Sequence, residues 1–154
     1  MSQTLTILGC GSSGGVPRVA YGWGSCDPDN PLNRRRRCSV LVRRAGPDGE
    51  TRVLVDAGAD LREQMLTENI SNLDAVLFTH EHADHTHGID DLRPFYLRNR
   101  RRIDTWIDPH TAPDLTRRFD YLFEAPPGSD YPPILTERRM TPGQSVEVDG
   151  PGGA

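Results

Sequence analysis

Strand and helix signals alternate along the chain and predict an α/β protein, with helices layered on a sheet. Three observations carry that expectation. Apolar or alternating runs at residues 4–8, 38–43, 51–55, 75–78 and 105–107 read as strands. Segments with helical spacing, 61–68, 90–98 and 111–123, stand between the later runs. The chain has 154 residues and no internal repeat, which suits one compact domain over 1–154.

Taken in order, residues 4–8 open the chain as a short strand, followed by a glycine loop from Gly9 to Gly15. Residues 16–37 hold Pro17, Gly22, Gly24, Pro28 and Pro31 and show no period, so they read as a long loop, and such loops are usually functional. Strands 38–43 and 51–55 form a hairpin around the Gly46-Pro47-Asp48-Gly49 turn. Asp60 and Glu63 suit a capping box for a helix over 61–68. The run 75–78 is apolar throughout, as expected of a buried strand. A helix over 90–98 tolerates Pro94 near its start. Residues 111–123 read as one helix, with Asp114 in the first turn and Leu115, Phe119 and Leu122 on one face. Residues 125–133 are proline-rich loop, and 145–148 alternate like a final strand.

Composition narrows the function classes. Charged residues make up 26% and the formal net charge is −4, so the bulk charge gives no general affinity for nucleic acid. No apolar run is long enough to span a bilayer, so no membrane partner is expected. The N-terminus lacks the regions of a signal peptide. Three widely spaced cysteines, Cys10, Cys26 and Cys38, argue against a disulfide framework and fit a reducing, cytoplasmic location.

The chemistry concentrates at Thr79-His80-Glu81-His82-Ala83-Asp84-His85-Thr86-His87-Gly88, which holds four of the five histidines. Neutral imidazole and carboxylate suit zinc, iron or manganese. His80 and His82 stand two apart just past a strand, so an extended backbone points both rings one way. Asp84 and His85 turn the corner and can face a second ion. This makes His80, His82, Asp84 and His85 the candidate metal ligands. His87 lies outside the spacing, and His110 reads as a loop residue.

The pattern His-x-His-x-Asp-His resembles the signature of the metallo-β-lactamase fold hydrolases. Two further segments match. Val53-Leu54-Val55-Asp56-Ala57-Gly58 is similar to that family's strand ending in Asp-x-Gly. Ile7-Leu8-Gly9-Cys10-Gly11-Ser12-Ser13-Gly14-Gly15-Val16-Pro17 resembles the opening of the branch holding phosphoribosyl cyclic phosphate phosphodiesterases and tRNA 3′-end endonucleases, and residues 85–93 look closest to the phosphodiesterases. The resemblance implies an αββα sandwich, of which this chain is the N-terminal half. It implies two divalent metals, zinc first with manganese or iron as alternatives. His80 and His82 would hold one metal, and Asp84 and His85 the second or its water, with Asp84 the catalytic carboxylate. Asp56 would brace the histidine loop from behind rather than bind metal.

The implied reaction is hydrolysis of a small anionic phosphodiester by a metal-activated water. Two other readings stand beside it: an inactive metal-binding fragment, and a thioester or lactone hydrolase or tRNA-processing-type nuclease. The family's remaining ligands would fall beyond Ala154. The chain alone is therefore expected to be inactive and to associate, as a homodimer for example, through an apolar sheet face. Arg34-Arg35-Arg36-Arg37 reads as a solvated loop or a phosphate clamp. Arg98, Arg100, Arg101 and Arg102 form a second cluster. Gly9-x-Gly11-x-x-Gly14 fits a dinucleotide fingerprint only if a helix follows, and glycines and prolines follow instead.

Overall fold

A computed structural model describes residues 2–154. Six strands form one mixed sheet in the order of the sequence, from β1 to β6. Strands β1 (Ser2–Gly9), β2 (Ser39–Gly46) and β3 (Gly49–Val55) are antiparallel neighbours. The sheet continues in parallel through β4 (Ala75–Phe78), β5 (Ile103–Ile107) and β6 (Leu135–Arg139).

Each parallel step crosses through helix: α1 (Leu61–Thr67) before β4, α2 (Ala83–Thr86) and α3 (Arg93–Asn99) before β5, and α4 (Ala112–Arg118) and α5 (Asp120–Phe123) before β6. Crossovers of one hand between successive strands put these helices on one face of the sheet.

The register explains the core. Leu41, Leu54 and Val76 are paired in turn across β2, β3 and β4, and all three are fully buried. They share one cluster with Phe78, Ile107, Leu61, Leu92, Leu115 and Leu122. Alternate residues Val42 and Val53, then Val40, Val55, Leu77 and Trp106, form the opposite face, where they are half-buried. On β1 the same face leaves Leu5 65% and Ile7 64% exposed.

Residues 146–154 lie over part of that face. Val146 and Val148 line a 250 Å³ cavity with Val42, Val53, Val55 and Leu77. The Thr51 hydroxyl accepts from the Gly152 amide (3.0 Å) and donates to the Gly153 carbonyl (2.8 Å), which tethers the tail to β3.

Several local expectations need correction. Residues 145–148 are not a strand; they belong to this tail. The sixth strand is Leu135–Arg139, whose Glu137, Arg138 and Arg139 disguise its pattern; charge suits an edge strand. The helix expected over 111–123 breaks at Phe119, where φ is −128°. The Asp60 side chain makes no capping bond to α1; it accepts from the Arg37 amide and guanidinium, both at 2.7 Å. The helix expected over 90–98 is a 3-10 turn, Ile89–Leu92, leading into α3. No helix follows the glycine loop, which removes the dinucleotide reading: residues 31–33 form only a 3-10 turn.

Candidate metal centre

The site forms where β3 and β4 end side by side. Past β3, Asp56 extends the ladder by one bond, its amide donating to the Leu77 carbonyl at 2.8 Å. Past β4, the chain runs through Thr79, His80, Glu81 and His82 into α2. Asp56 adopts a left-handed backbone, φ 63°, which aspartate tolerates better than most residues. The Ser39 hydroxyl fixes this turn from β2 by donating to the Asp56 carbonyl at 2.9 Å.

Asp56 is buried, and its carboxylate is fully employed. Oδ1 accepts from the Thr79 amide at 2.8 Å. Oδ2 accepts from the Thr79 hydroxyl at 2.8 Å and pairs with His85 Nδ1 at 2.7 Å. These bonds assign tautomers. A neutral His85 donates its Nδ1 proton to Asp56, leaving a lone pair on Nε2. The Thr79 hydroxyl has committed its one proton to Asp56. It therefore accepts from His80 Nδ1, 2.9 Å away, which leaves the His80 Nε2 lone pair free as well.

Asp56 thus bonds to both Thr79 and His85, at the two ends of the histidine loop. Thr79, the relay between Asp56 and His80, is absent from the residues singled out in the sequence. The hydrogen-bonding capacity of a buried carboxylate is the signal that could have found it.

The structure brings the expected ligands together. The ring centroids of His80 and His85 are 4.0 Å apart, and those of His80 and His82 are 4.7 Å apart. Asp84 Oδ2 lies 3.3 Å from His85 Nε2. The donor set, neutral imidazole and carboxylate with Nδ1 atoms anchored from behind, fits a divalent metal such as zinc in its chemistry. Its geometry is less complete: among the described residues, no three His, Cys, Asp or Glu side chains form a group that could hold an ion as they stand.

Two glycines let the loop sit this close. A Cβ on Gly58 would come within 2.0 Å of the Asp84 carbonyl oxygen, and one on Gly88 within 2.0 Å of the Gly58 carbonyl oxygen. His87 points elsewhere, meeting the Phe119 ring edge-on at 6.0 Å, and the His110 amide is bonded to Asp108. Arg118 holds the loop from α4, donating to the Glu81 carbonyl at 2.8 Å.

The two arginine clusters differ in place. Arg101 pairs with Asp74 at 2.9 Å, and Asp74 precedes β4 whereas the histidines follow it. The second cluster therefore lies at the opposite end of the sheet from the histidines. The run 34–37 borders a 340 Å³ cavity with Gly14, Gly15 and Asp60. Its guanidinium groups are already engaged: Arg34 over Trp23, Arg35 with the Cys10 sulfur, Arg36 with Thr67, and Arg37 with Asp60 and the Ser13 carbonyl. They pin the long loop.

Nearby ionisable groups respond to this setting. Burial, and then the negative charge of Asp56, Asp84 and Cys10, push the Cys38 thiol above its ordinary range. Tyr121 is pushed up to about 12, first by burial and then by its 2.5 Å bond to Asp90. The folded state favours the neutral phenol, so this tie between α5 and the 3-10 turn is fully present below the unfolded value of about 10. It is lost as pH rises through about 12. Ultraviolet titration should show one of the four tyrosines ionising near that value, and Asp90→Asn should bring it down. An unchanged titration in Asp90→Asn would remove the bond from the explanation.

Comparison with known proteins agrees with the site. The beta-lactamase superfamily domain matches residues 51–153, which include Asp56 and the histidine cluster. A solved diphosphatase of the PhnP family superposes with a TM-score of 0.78 at 34% identity, over 97% of this chain and 55% of that one. The fold is shared with zinc-bound PqqB of Methylobacterium extorquens, TM-score 0.64 at 22% identity, over 95% and 48% of the two chains.

Among curated proteins, an octanoyltransferase of Porphyromonas gingivalis is 34% identical over 92% of this chain and 28% of its own length. A ribonuclease Z of a Bradyrhizobium species is 31% identical over 77% of this chain and 38% of its own. The chain spans about half or less of the length of these relatives. The matched domain, the sheet with its one-sided helices and the histidine loop at the strand ends place the chain in the beta-lactamase superfamily, with the metallo-β-lactamase fold.

Proposed function

We propose that this chain carries the metal-binding part of a hydrolase acting on phosphorus esters, most specifically phosphodiesters. The observation that carries the reading is the Asp56–His85–Asp84 alignment beside His80. One carboxylate fixes an imidazole from behind, and a second stands at its far nitrogen. The likeness to a PhnP-family diphosphatase supports the phosphorus-ester class, as does the shared sequence with ribonuclease Z.

His80, His82, Asp84 and His85 would hold one or two divalent ions, zinc first with manganese or iron as alternatives. Such ions supply Lewis acidity for an attacking water and a leaving oxygen. The chain's own residues do the rest. Asp56 and Thr79 keep His85 and His80 in the Nδ1–H form, so that both Nε2 atoms face the site. Asp84, whose Oδ2 lies 3.3 Å from His85 Nε2, would be the carboxylate that accepts a proton from the attacking water. The substrate would be a small anionic ester, and the Arg34–Arg37 loop lies on the site's side of the fold because Cys38 and Ser39 lead from it to Asp56.

A second reading, metal binding without turnover, is favoured by ligand count. Two catalytic zinc ions call on about six protein ligands, against the four candidates named above. Assays with added zinc or manganese on a form extended to the length of its relatives separate the readings, residues 1–154 alone being expected to be inactive. Metal-dependent cleavage of bis(p-nitrophenyl) phosphate, faster than opening of a nitrocefin-type lactam or a thioester, is the expected result. Lactam or thioester turnover without phosphodiester cleavage would overturn the substrate class. Metal uptake with no turnover on any substrate would favour the second reading.

A further inference from the structure

The cysteines have no part in the hydrolytic scheme. All three cysteines of the chain are free thiols, and Cys10 and Cys38 are exposed. The last Cα pair of the β1–β2 ladder is Gly9 with Ser39. Cys10 follows Gly9 and Cys38 precedes Ser39, so the two residues leave the end of the ladder side by side, one residue past its last pair. The two segments stay together past that point: the Gly11 amide donates to the Arg36 carbonyl at 2.7 Å, and Gly11 bridges Arg37 in the parallel sense. The Cys38 side chain feels the charge of Cys10, and a disulfide asks for Cα atoms about 4.4–6.8 Å apart.

We propose that Cys10 and Cys38 form a reversible disulfide that reports thiol oxidants to the metal loop. The oxidant class is a small disulfide such as oxidised glutathione. The Arg35 guanidinium stands 3.1 Å from the sulfur of the exposed Cys10, where it can draw in an anionic disulfide, so Cys10 is the thiol that reacts first. Attack as the thiolate forms a mixed disulfide at Cys10 and expels one glutathione thiolate. Cys38 then gives up its proton to solvent, attacks the Cys10 sulfur and expels the second. Two protein thiols are oxidised to one disulfide, and one oxidised glutathione is reduced to two thiols.

The cross-link has a route to the metal loop. Cys38 is joined to Ser39, whose hydroxyl donates to the Val55 carbonyl at 3.1 Å and the Asp56 carbonyl at 2.9 Å. Asp56 in turn holds Thr79 and His85. Tying Cys38 to β1 therefore restrains the residue that anchors the Asp56 turn. Cys26 lies within the long loop between the two and serves as an internal control.

The test uses the reduced, metal-free protein, diluted and incubated with oxidised glutathione, then analysed by intact mass and peptide mapping. The expected product is a monomer lighter by two hydrogen atoms, with the Cys10 and Cys38 peptides joined and reversed by dithiothreitol. Cys10→Ser should leave Cys38 without a partner and block the link, whereas Cys26→Ser should form it at the wild-type rate. Amide exchange at Ala57 and Thr79 should slow severalfold on oxidation. Glutathione adducts on Cys10 and Cys38 without a link, a link to Cys26, or only intermolecular dimers would overturn the proposal. A link without slower exchange would overturn its connection to the metal loop. None of these readouts depends on hydrolytic activity.

Discussion

Asp56→Ala should destabilise the protein by about 3 kcal/mol or more and weaken metal binding at the same time. The buried carboxylate serves three donors: the Thr79 amide, the Thr79 hydroxyl and His85 Nδ1. Leaving buried donors unpaired costs roughly 1–3 kcal/mol each when water cannot replace the acceptor. Alanine also loses about 1 kcal/mol or more in the left-handed backbone that Asp56 occupies.

For a chain of this length the loss corresponds to a fall in Tm of roughly 6–12 °C, measurable by circular dichroism or calorimetry. Asp56→Asn separates the two effects. Asparagine tolerates the left-handed backbone and keeps one acceptor oxygen, so most of the stability should remain. Its amide cannot serve both Thr79 and His85, so zinc affinity should still fall, by about 10–100-fold as for other residues that orient a ligand. An Asp56→Ala protein with an unchanged Tm would show that the network contributes nothing to stability.

Much of this site is legible in the sequence. The four candidate ligands are packed into 80–85, directly after an apolar strand, so a local pattern suffices. Asp56 is legible only through the resemblance of residues 53–58 to the family's strand ending in Asp-x-Gly. The relay through Thr79 is not legible, because it depends on β3 and β4 ending side by side. Nor is the Ser39 anchor, which comes from a strand two places away.

The fold is less evenly legible. β2, β3 and β4 follow from apolar runs, whereas β6 is hidden by the charges of Glu137, Arg138 and Arg139. Val146 and Val148 alternate like a strand, yet they serve as a tethered tail over the open sheet face. The arginines illustrate the same limit: sequence shows clusters, but only the register shows that Arg101 sits at the far end of β4, on Asp74.

The second large effect concerns the ligands themselves. His80 and His82 follow β4 with their rings 4.7 Å apart, and the His85 ring lies 4.0 Å from that of His80. Neither His80 nor His82 belongs to the buried core, so replacing both with alanine should cost little stability while removing two of the four candidate ligands. A single replacement leaves three donors and a weakened site. The double replacement leaves Asp84 and His85, too few to retain zinc through purification.

The most direct measurement is elemental analysis of zinc in purified wild-type protein and in the His80→Ala, His82→Ala double variant, with circular dichroism confirming that both are folded. Bound zinc in the wild type and its loss in the folded double variant is the predicted result. Equal zinc stoichiometry in the two proteins would contradict the assignment of the metal to the histidine loop.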